Sequence, residues 1–125
     1  MKKQLLRRED YLKQIYLLSK SGIVRGAELA DCLEIKRPTV CVYLKRLIEF
    51  GDILMDKSHH IYLTSQGTAT AEAVLEKHDL LFHLLKDLGV SDGVAAKDAC
   101  AIEHNISPET YMALKQLLNE RQGNL

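Results

Sequence analysis

Several classes of protein are excluded by what this 125-residue sequence lacks. No apolar run approaches the roughly 20 residues that a membrane-spanning helix requires, and residues 1–10 lack the apolar segment of a signal peptide. There is neither a GxGxxG pattern nor a P-loop. The three cysteines, Cys32, Cys41 and Cys100, are sparse and odd in number, so we expect reduced thiols in a cytoplasmic protein.

Net charge is also lacking, because 17 basic side chains balance 17 acidic ones. The balance conceals an asymmetry between the two halves of the chain. Residues 1–62 carry 12 basic and 8 acidic side chains, whereas residues 63–125 carry 5 basic and 9 acidic ones. A basic first half and an acidic second half predict a polyanion-binding part joined to a part with different chemistry.

The apolar spacing and the turn residues predict a mainly α fold. The first 63 residues have the order of a winged helix-turn-helix DNA-binding domain, and residues 64–125 form a helical domain that we expect to dimerise. Pro38 and Pro108, the only two prolines, both lie at predicted helix starts. The predicted helices are 9–19, 25–32, 38–50, 66–88, 92–104 and 108–121, and the predicted strands are 53–55 and 60–63.

The third predicted helix has the pattern of a recognition helix. It turns apolar residues inward and leaves basic and small side chains on its outer face, as a helix in the major groove requires. Basic side chains there suit phosphate contacts, whereas Thr39 and Val42 are small enough to reach base edges. The alternative is a protein-interaction domain with a solvated basic face. The candidate DNA-binding residues are Lys36, Arg37, Pro38, Thr39, Val42, Tyr43, Arg46 and, in the wing, Lys57.

A possible metal-binding triplet lies on the fifth predicted helix. At 3.6 residues per turn, Cys100, Glu103 and His104 fall within about 100° of arc. A thiolate, a carboxylate and an imidazole would therefore share one face. Asp10 and His78 are further candidate ligands, although spacing alone does not show that they converge with the triplet.

Several segments of the chain resemble the diphtheria-toxin-repressor family of metal-dependent transcriptional repressors. They lie in the order expected for that family and span nearly the whole chain: residues 9–16 (EDYLKQIY), 37–40 (RPTV), 63–67 (LTSQG), 77–81 (KHDLL) and 99–104 (ACAIEH). The resemblance is greatest to the manganese-transport-regulator branch, which has no SH3-like third domain. It implies a winged-helix domain, a helical dimerisation domain and a divalent metal bound between them.

The resemblance also implies ligand positions, which match Asp10, His78, Cys100, Glu103 and His104 one at a time. The manganese branch has Glu where this chain has Cys100, and it has a bridging Glu where this chain has Lys13, which argues against a two-metal centre. Two ligand sets stay open for one metal. One set is Asp10, His78, Cys100 and Glu103; the other replaces His78 with His104. A thiolate among the donors favours Fe(II), with Mn(II) or Zn(II) behind it.

We therefore expect a cytoplasmic, homodimeric repressor that controls metal-ion homeostasis and binds an operator in double-stranded DNA. Metal would orient the two recognition helices for half-sites about 34–36 Å apart. A metal-independent winged-helix regulator is the alternative. An enzyme is not expected, since Cys100 and His104 lie one turn apart on one helix and no oxyanion-hole loop accompanies them. No membrane partner or small organic substrate is expected.

Overall fold

The computed structural model describes residues 7–123. Residues 1–6, on which the expectation of no signal peptide partly rests, and residues 124–125 lie outside this range. Within the described residues, no helix is both long and apolar enough to cross a membrane. The elements in chain order are α1 (Arg8–Ser19), β1 (Val24–Arg25), α2 (Gly26–Leu33), α3 (Arg37–Phe50), β2 (Ile53–Met55), β3 (His60–Leu63), α4 (Ser65–Asp87), α5 (Asp92–Ile102) and α6 (Pro108–Arg121).

The chain divides into two compact units, Met1–Glu72 and Ala73–Leu125. The division falls inside α4 because Ala71, in the second turn of that helix, is buried in the core of the first unit. The sequence-based boundary after residue 63 stays a prediction.

The first unit packs three helices against a small sheet. The tight connection between α2 and α3 depends on Glu34, which adopts a left-handed φ of 56° and lets the amide of Ile35 bond back to the carbonyl of Ala30. This turn sets α3 against α1 and α2. The buried side chains of the core are Tyr11, Leu12, Ile15, Val24, Leu29, Ala30, Val40, Leu44, Leu47, Ile53, Ile61 and Ala71.

The sheet has three antiparallel strands in the order β1-β3-β2. In the register, Ile61 of β3 lies between Val24 of β1 and Met55 of β2, so one face of the sheet supplies the core. The cross-strand pair Leu54 and Tyr62 points the other way and is exposed. This alternation is the period-2 pattern expected of a half-buried strand pair.

The end of α3 and the start of α4 approach each other closely. Gly51 ends α3 with a φ of 84°, a left-handed conformation that glycine adopts without strain. The next residue, Asp52, is fully buried and its backbone carbonyl accepts a hydrogen bond from the amide of Thr64. A Cβ atom on Gly67 would lie 2.1 Å from that carbonyl oxygen, so only glycine fits there.

The second unit comprises the rest of α4 together with α5 and α6. Ser107 caps α6, since its hydroxyl oxygen accepts a hydrogen bond from the amide of Thr110. An ion pair between Arg121 and Asp87 joins the ends of α6 and α4. The buried apolar side chains are fewer than in the first unit: Val74, Leu81, Leu84, Ala95, Ala99 and Leu118.

The fold class predicted from the sequence is confirmed: a winged helix-turn-helix is followed by a helical domain. Both strands of the hairpin have the predicted bounds. The two-residue strand β1 was not predicted, and α5 ends at Ile102 rather than near residue 104. The bounds of the other helices agree with the predicted ones to within one residue.

Candidate metal centre and nucleic-acid interface

Three of the candidate metal ligands lie together in the second unit. His78 is in the middle of α4, Cys100 lies in the last turn of α5, and Glu103 is the C-cap of the same helix. One donor atom from each of the three side chains lies within 4.8 Å of the donor atoms of the other two. Glu103 keeps helical backbone angles beyond the last residue of α5, so the one-turn spacing from Cys100 still places both on one face.

The distances and the burial of this cluster suit a metal ion. Glu103 Oε2 lies 3.7 Å from His78 Nδ1, close to the roughly 3.5 Å between two donors of a tetrahedral ion with bonds of about 2.0–2.3 Å. The Glu103 side chain is buried, and the buried Nδ1 of His78 makes no hydrogen bond to any described residue. An imidazole nitrogen that makes no such hydrogen bond and lies beside a carboxylate and a thiol can coordinate a cation.

A fourth candidate, His104, lies beside the cluster rather than within it. Its Nε2 atom is 3.8 Å from Glu103 Oε1, the carboxylate oxygen opposite the one nearest His78. The described group of mutually close donors contains His78 and not His104. Asp10 belongs to the first unit, in the first turn of α1, where its Oδ2 accepts a hydrogen bond of 2.7 Å from the amide of Arg7.

The outer face of α3 is exposed, as expected for a recognition helix. Its N-terminal turn carries exposed basic side chains, and Val42 is 59% exposed at the middle of the helix. No described carboxylate is paired with the guanidinium groups on this face. The members of the predicted set that are exposed on or beside α3 are Lys36, Arg37, Pro38, Thr39, Val42 and Arg46.

Tyr43 differs from the rest of the predicted DNA-binding set. It is half-buried, and its ring stacks on Tyr11 of α1 with centroids 4.1 Å apart and an interplanar angle of 3°. Burial raises the pKa of the Tyr11 hydroxyl. The expectation that Tyr43 faces outward is therefore corrected: a long aromatic ring at the edge of the exposed face turns back onto the core.

The wing is organised by Asp56, which the sequence reading did not single out. Its Oδ1 atom accepts hydrogen bonds from the amides of Ser58 and His60, both 2.9 Å long. The bond from the His60 amide is the main cause of the lowered pKa of Asp56. His60 lies between Asp56 and Arg25, with Nδ1 3.1 Å from Asp56 Oδ2 and Nε2 3.3 Å from Arg25 Nη2. Lys57 is exposed at the tip of this ordered turn.

A winged helix with an exposed basic recognition helix, in one chain with a buried His–Cys–Glu cluster, belongs to the class of DNA-binding regulators that contain a metal site. Two family models agree. The iron-dependent repressor N-terminal DNA-binding domain matches residues 5–61, and the iron-dependent repressor metal-binding and dimerisation domain matches residues 64–124. The chain belongs to the iron-dependent repressor family.

Individual relatives and solved structures are similar over most of the chain. Transcriptional regulator MntR of Escherichia coli O6:H1 (strain CFT073) is 34% identical over 116 residues, which cover 92% of this chain and 74% of that protein. The structure of the manganese regulator SloR has a TM-score of 0.81 and 28% identity, covering 93% of this chain and 55% of that one. The structure of ScaR with bound Zn²⁺ has a TM-score of 0.78 and 28% identity, covering 91% and 54%.

These comparisons confirm the family resemblance, the regulator class and the prediction that the chain is not an enzyme. They also support divalent metal binding by the second unit, whose family model is a metal-binding one. The chain spans about three quarters of the E. coli relative and a little over half of the two solved structures.

Proposed function

We propose that this chain is a metal-dependent, DNA-binding transcriptional repressor of metal-ion homeostasis. The observation that carries the proposal is the His78, Cys100 and Glu103 cluster, which lies in the same chain as an exposed basic recognition helix. Such a repressor acts on DNA, so we place it in the cytoplasm.

The DNA contact follows from the outer face of α3. Arg37 and Arg46 neutralise phosphates and position the domain without reading sequence. Thr39 and Val42 approach base edges, where their methyl groups can meet the methyl group of thymine. Lys36, at the N-cap of α3, and Lys57, at the wing tip, add phosphate contacts on either side of the groove.

The metal is held by His78, Cys100 and Glu103, and we propose that Asp10 completes this ligand set. The geometry of the cluster favours this set over the one with His104, because His78 shares the mutual 4.8 Å spacing of the three donors. His104 would then support Glu103 as an outer partner.

The identity of the metal follows from donor chemistry. A thiolate with an imidazole and carboxylates favours Fe(II), Co(II) or Zn(II) over Mn(II), which prefers oxygen-rich sites. We therefore propose Fe(II) as the physiological metal. Mn(II), suggested by the manganese regulators among the relatives, and Zn(II) are the rivals that the experiment separates.

The coupling of metal to DNA is thermodynamic. A metal whose ligands come from α1 and from the second unit binds best to the arrangement that satisfies all of them. If this arrangement also suits DNA, the metal raises DNA affinity, and DNA must raise metal affinity by the same factor. In a homodimer formed through the second units, the arrangement sets the distance between the two recognition helices.

The deciding experiment is a DNA shift assay on the metal-free protein with Fe(II), Mn(II), Zn(II) and Co(II) added one at a time under anaerobic conditions. The probe is a duplex selected from a random-sequence pool by the metal-loaded wild-type protein. We expect shifts only with metal, and with Fe(II) at the lowest concentration. Equal binding by the metal-free protein would instead favour the metal-independent regulator.

Two cysteine variants form a matched pair for the metal site. Cys100→Ala should abolish metal-activated DNA binding and the thiolate-to-Co(II) charge-transfer band of the wild-type protein. Cys32→Ala removes an exposed thiol of α2 and should leave both unchanged. Retention of the band by Cys100→Ala with Co(II) bound would exclude Cys100 as a ligand.

A further inference from the structure

A partly buried ion pair in the first unit joins α1 to Asp52, two residues after the end of the recognition helix. Arg8, the first residue of α1, donates from Nε to Asp52 Oδ2 and from Nη2 to Asp52 Oδ1, each at 2.6 Å. Two parallel bonds between a guanidinium and a carboxylate are the strongest and most directional form of this contact. Asp52 is 0% exposed, whereas the Arg8 side chain is 36% exposed.

Asp52 is tied to the end of α3 through its backbone. Its amide donates to the carbonyl of Leu47, in the last turn of α3, at 2.9 Å. It directly follows Gly51, the C-cap of that helix. A displacement of the Arg8 guanidinium would therefore move Asp52 and, through its amide, the C-terminal turn of the recognition helix.

The start of α4 is joined to the same carboxylate. Gln66 Nε2 donates to Asp52 Oδ1 at 2.7 Å and to the carbonyl of Phe50 at 2.9 Å. Thr70 Oγ1 lies 3.4 Å from Arg8 Nη2. We call Arg8, Asp52 and Gln66 the Asp52 cluster. It connects the first turns of α1 and α4 to the end of α3, with all three contacts inside one compact unit.

Two of the helices that meet in this cluster also carry candidate metal ligands. Asp10 lies in the same first turn of α1 as Arg8, and the amide of Arg7 holds its Oδ2. His78 lies farther along α4, the helix that begins at the cluster with Ser65 and Gln66. The cluster thus lies where helices with metal donors meet the helix that faces DNA.

We propose that Arg8 and Asp52 are positioning residues that transmit metal occupancy to the recognition helix. This inference rests on the proposed function, in that Asp10 must bind the metal. Ligation of Asp10 fixes the first turn of α1, and the paired guanidinium passes that restraint to Asp52 and the last turn of α3. The Asp52 cluster is the physical link that a coupling between two sites needs.

The test compares the response of α3 to metal in two full-length proteins, wild type and Asp52→Asn. Asparagine keeps the size of the side chain and one acceptor, but it cannot take both guanidinium bonds as an anion. Hydrogen exchange of the amides of residues 44–52 is measured with and without saturating Co(II). Asp31→Asn, the same change at an exposed position on α2, is the control.

In wild type and in Asp31→Asn, we expect Co(II) to slow exchange in residues 44–52 by about tenfold or more. In Asp52→Asn, we expect the slowing to fall below about twofold while the Co(II) dissociation constant stays within about threefold of the wild-type value. An unchanged slowing in Asp52→Asn would overturn the proposal. A Co(II) affinity reduced more than tenfold would also overturn it, because the cluster would then shape the metal site instead of transmitting its occupancy.

A second variant keeps the proposal testable if Asp52→Asn does not fold. Arg8→Lys keeps the positive charge at a partly exposed position and removes only the paired guanidinium bonds to Asp52, so we expect a folded protein with an intermediate slowing of exchange. If Co(II) slowed exchange in a folded Arg8→Lys as much as in wild type, the paired guanidinium bonds would have no role in the transmission. The DNA shift assay separates the two proposals: metal-activated shifts by wild type without any slowing in residues 44–52 would overturn this inference alone.

Discussion

Among the described residues, each of the two compact units buries one acidic side chain, and the surroundings of these two side chains differ. In the first unit, Asp52 is held by the guanidinium of Arg8 and the amide of Gln66. In the second unit, Glu103 lies beside two candidate metal ligands, with His78 Nδ1 3.7 Å from one carboxylate oxygen and His104 Nε2 3.8 Å from the other. Burial of a carboxylate is costly without compensation. In the first unit, a guanidinium of the same unit compensates the carboxylate. In the second unit, we expect a bound metal ion to add to the compensation.

The apolar cores of the units differ in size. The first unit has a contiguous cluster of twelve buried side chains, whereas the described residues of the second unit bury six apolar side chains, two of which are alanines. A small helical domain with so few buried groups gains stability from bound metal or from a partner subunit. We therefore expect the folding of the second unit to depend on bound metal or on a partner subunit, and the first unit to be folded without either.

The largest expected effect is that of Glu103→Gln on metal affinity. The change keeps the shape of the side chain and removes its charge, so Co(II) affinity should fall more than about 100-fold, beyond the usual effect of an outer partner. Isothermal titration with Co(II) measures this effect. A metal affinity close to that of wild type would remove Glu103 from the ligand set.

The matching change in the first unit, Asp52→Asn, should act on stability instead. Loss of the charge-assisted bonds from Arg8 should lower the free energy of unfolding by about 1–3 kcal/mol. Urea unfolding of the metal-free protein measures this loss. An unchanged free energy of unfolding in Asp52→Asn would contradict the compensation of this carboxylate by Arg8.

Acid should weaken the first unit through the same carboxylate. The hydrogen bond from Arg8 is the main cause of the lowered pKa of Asp52. The pair therefore contributes stability above the unfolded pKa of an aspartate, about 3.9. That contribution is lost as the pH falls through the lower folded value. We expect the free energy of urea unfolding, followed by circular dichroism, to fall less steeply with decreasing pH below about 4 in Asp52→Asn than in wild type.

The smallest effect tests which unit carries the charge that binds DNA. Arg37→Ala removes one phosphate contact, so the slope of log affinity against log salt should shrink by about 0.9. Arg121→Ala, the same change in the second unit, should leave the slope unaltered. Fluorescence anisotropy at several salt concentrations gives both slopes, and an unchanged slope for Arg37→Ala would take this residue out of the interface.

Local patterns were sufficient for most of the fold. The strands 53–55 and 60–63 were predicted with their observed bounds, because alternating side chains and the intervening turn residues are local signals. Strand β1 has only two residues, and it exists because Val24 and Arg25 pair with Ile61 and His60 far along the chain. No local pattern reports such a pairing.

The candidate site shows the same limit. Cys100 and Glu103 share a helix face, so their proximity could be predicted from spacing. His78 lies on another helix, and its approach to them was implied only by the family resemblance. The Asp52 cluster was missed altogether, because Arg8 and Asp52 are 44 residues apart and an aspartate after a helix-ending glycine is an ordinary turn residue.

The close approach at Gly67 has a consequence for how the sequence can vary. Ser65 and Gln66 are exposed, whereas a Cβ atom at position 67 would collide with backbone that cannot swing aside. In a saturation-mutagenesis library selected for repression, position 67 should be depleted of every replacement, alanine included. A replacement at position 67 would require an altered turn between α3 and β2. Substitutions at position 67 should therefore occur in related sequences only together with substitutions around residue 52.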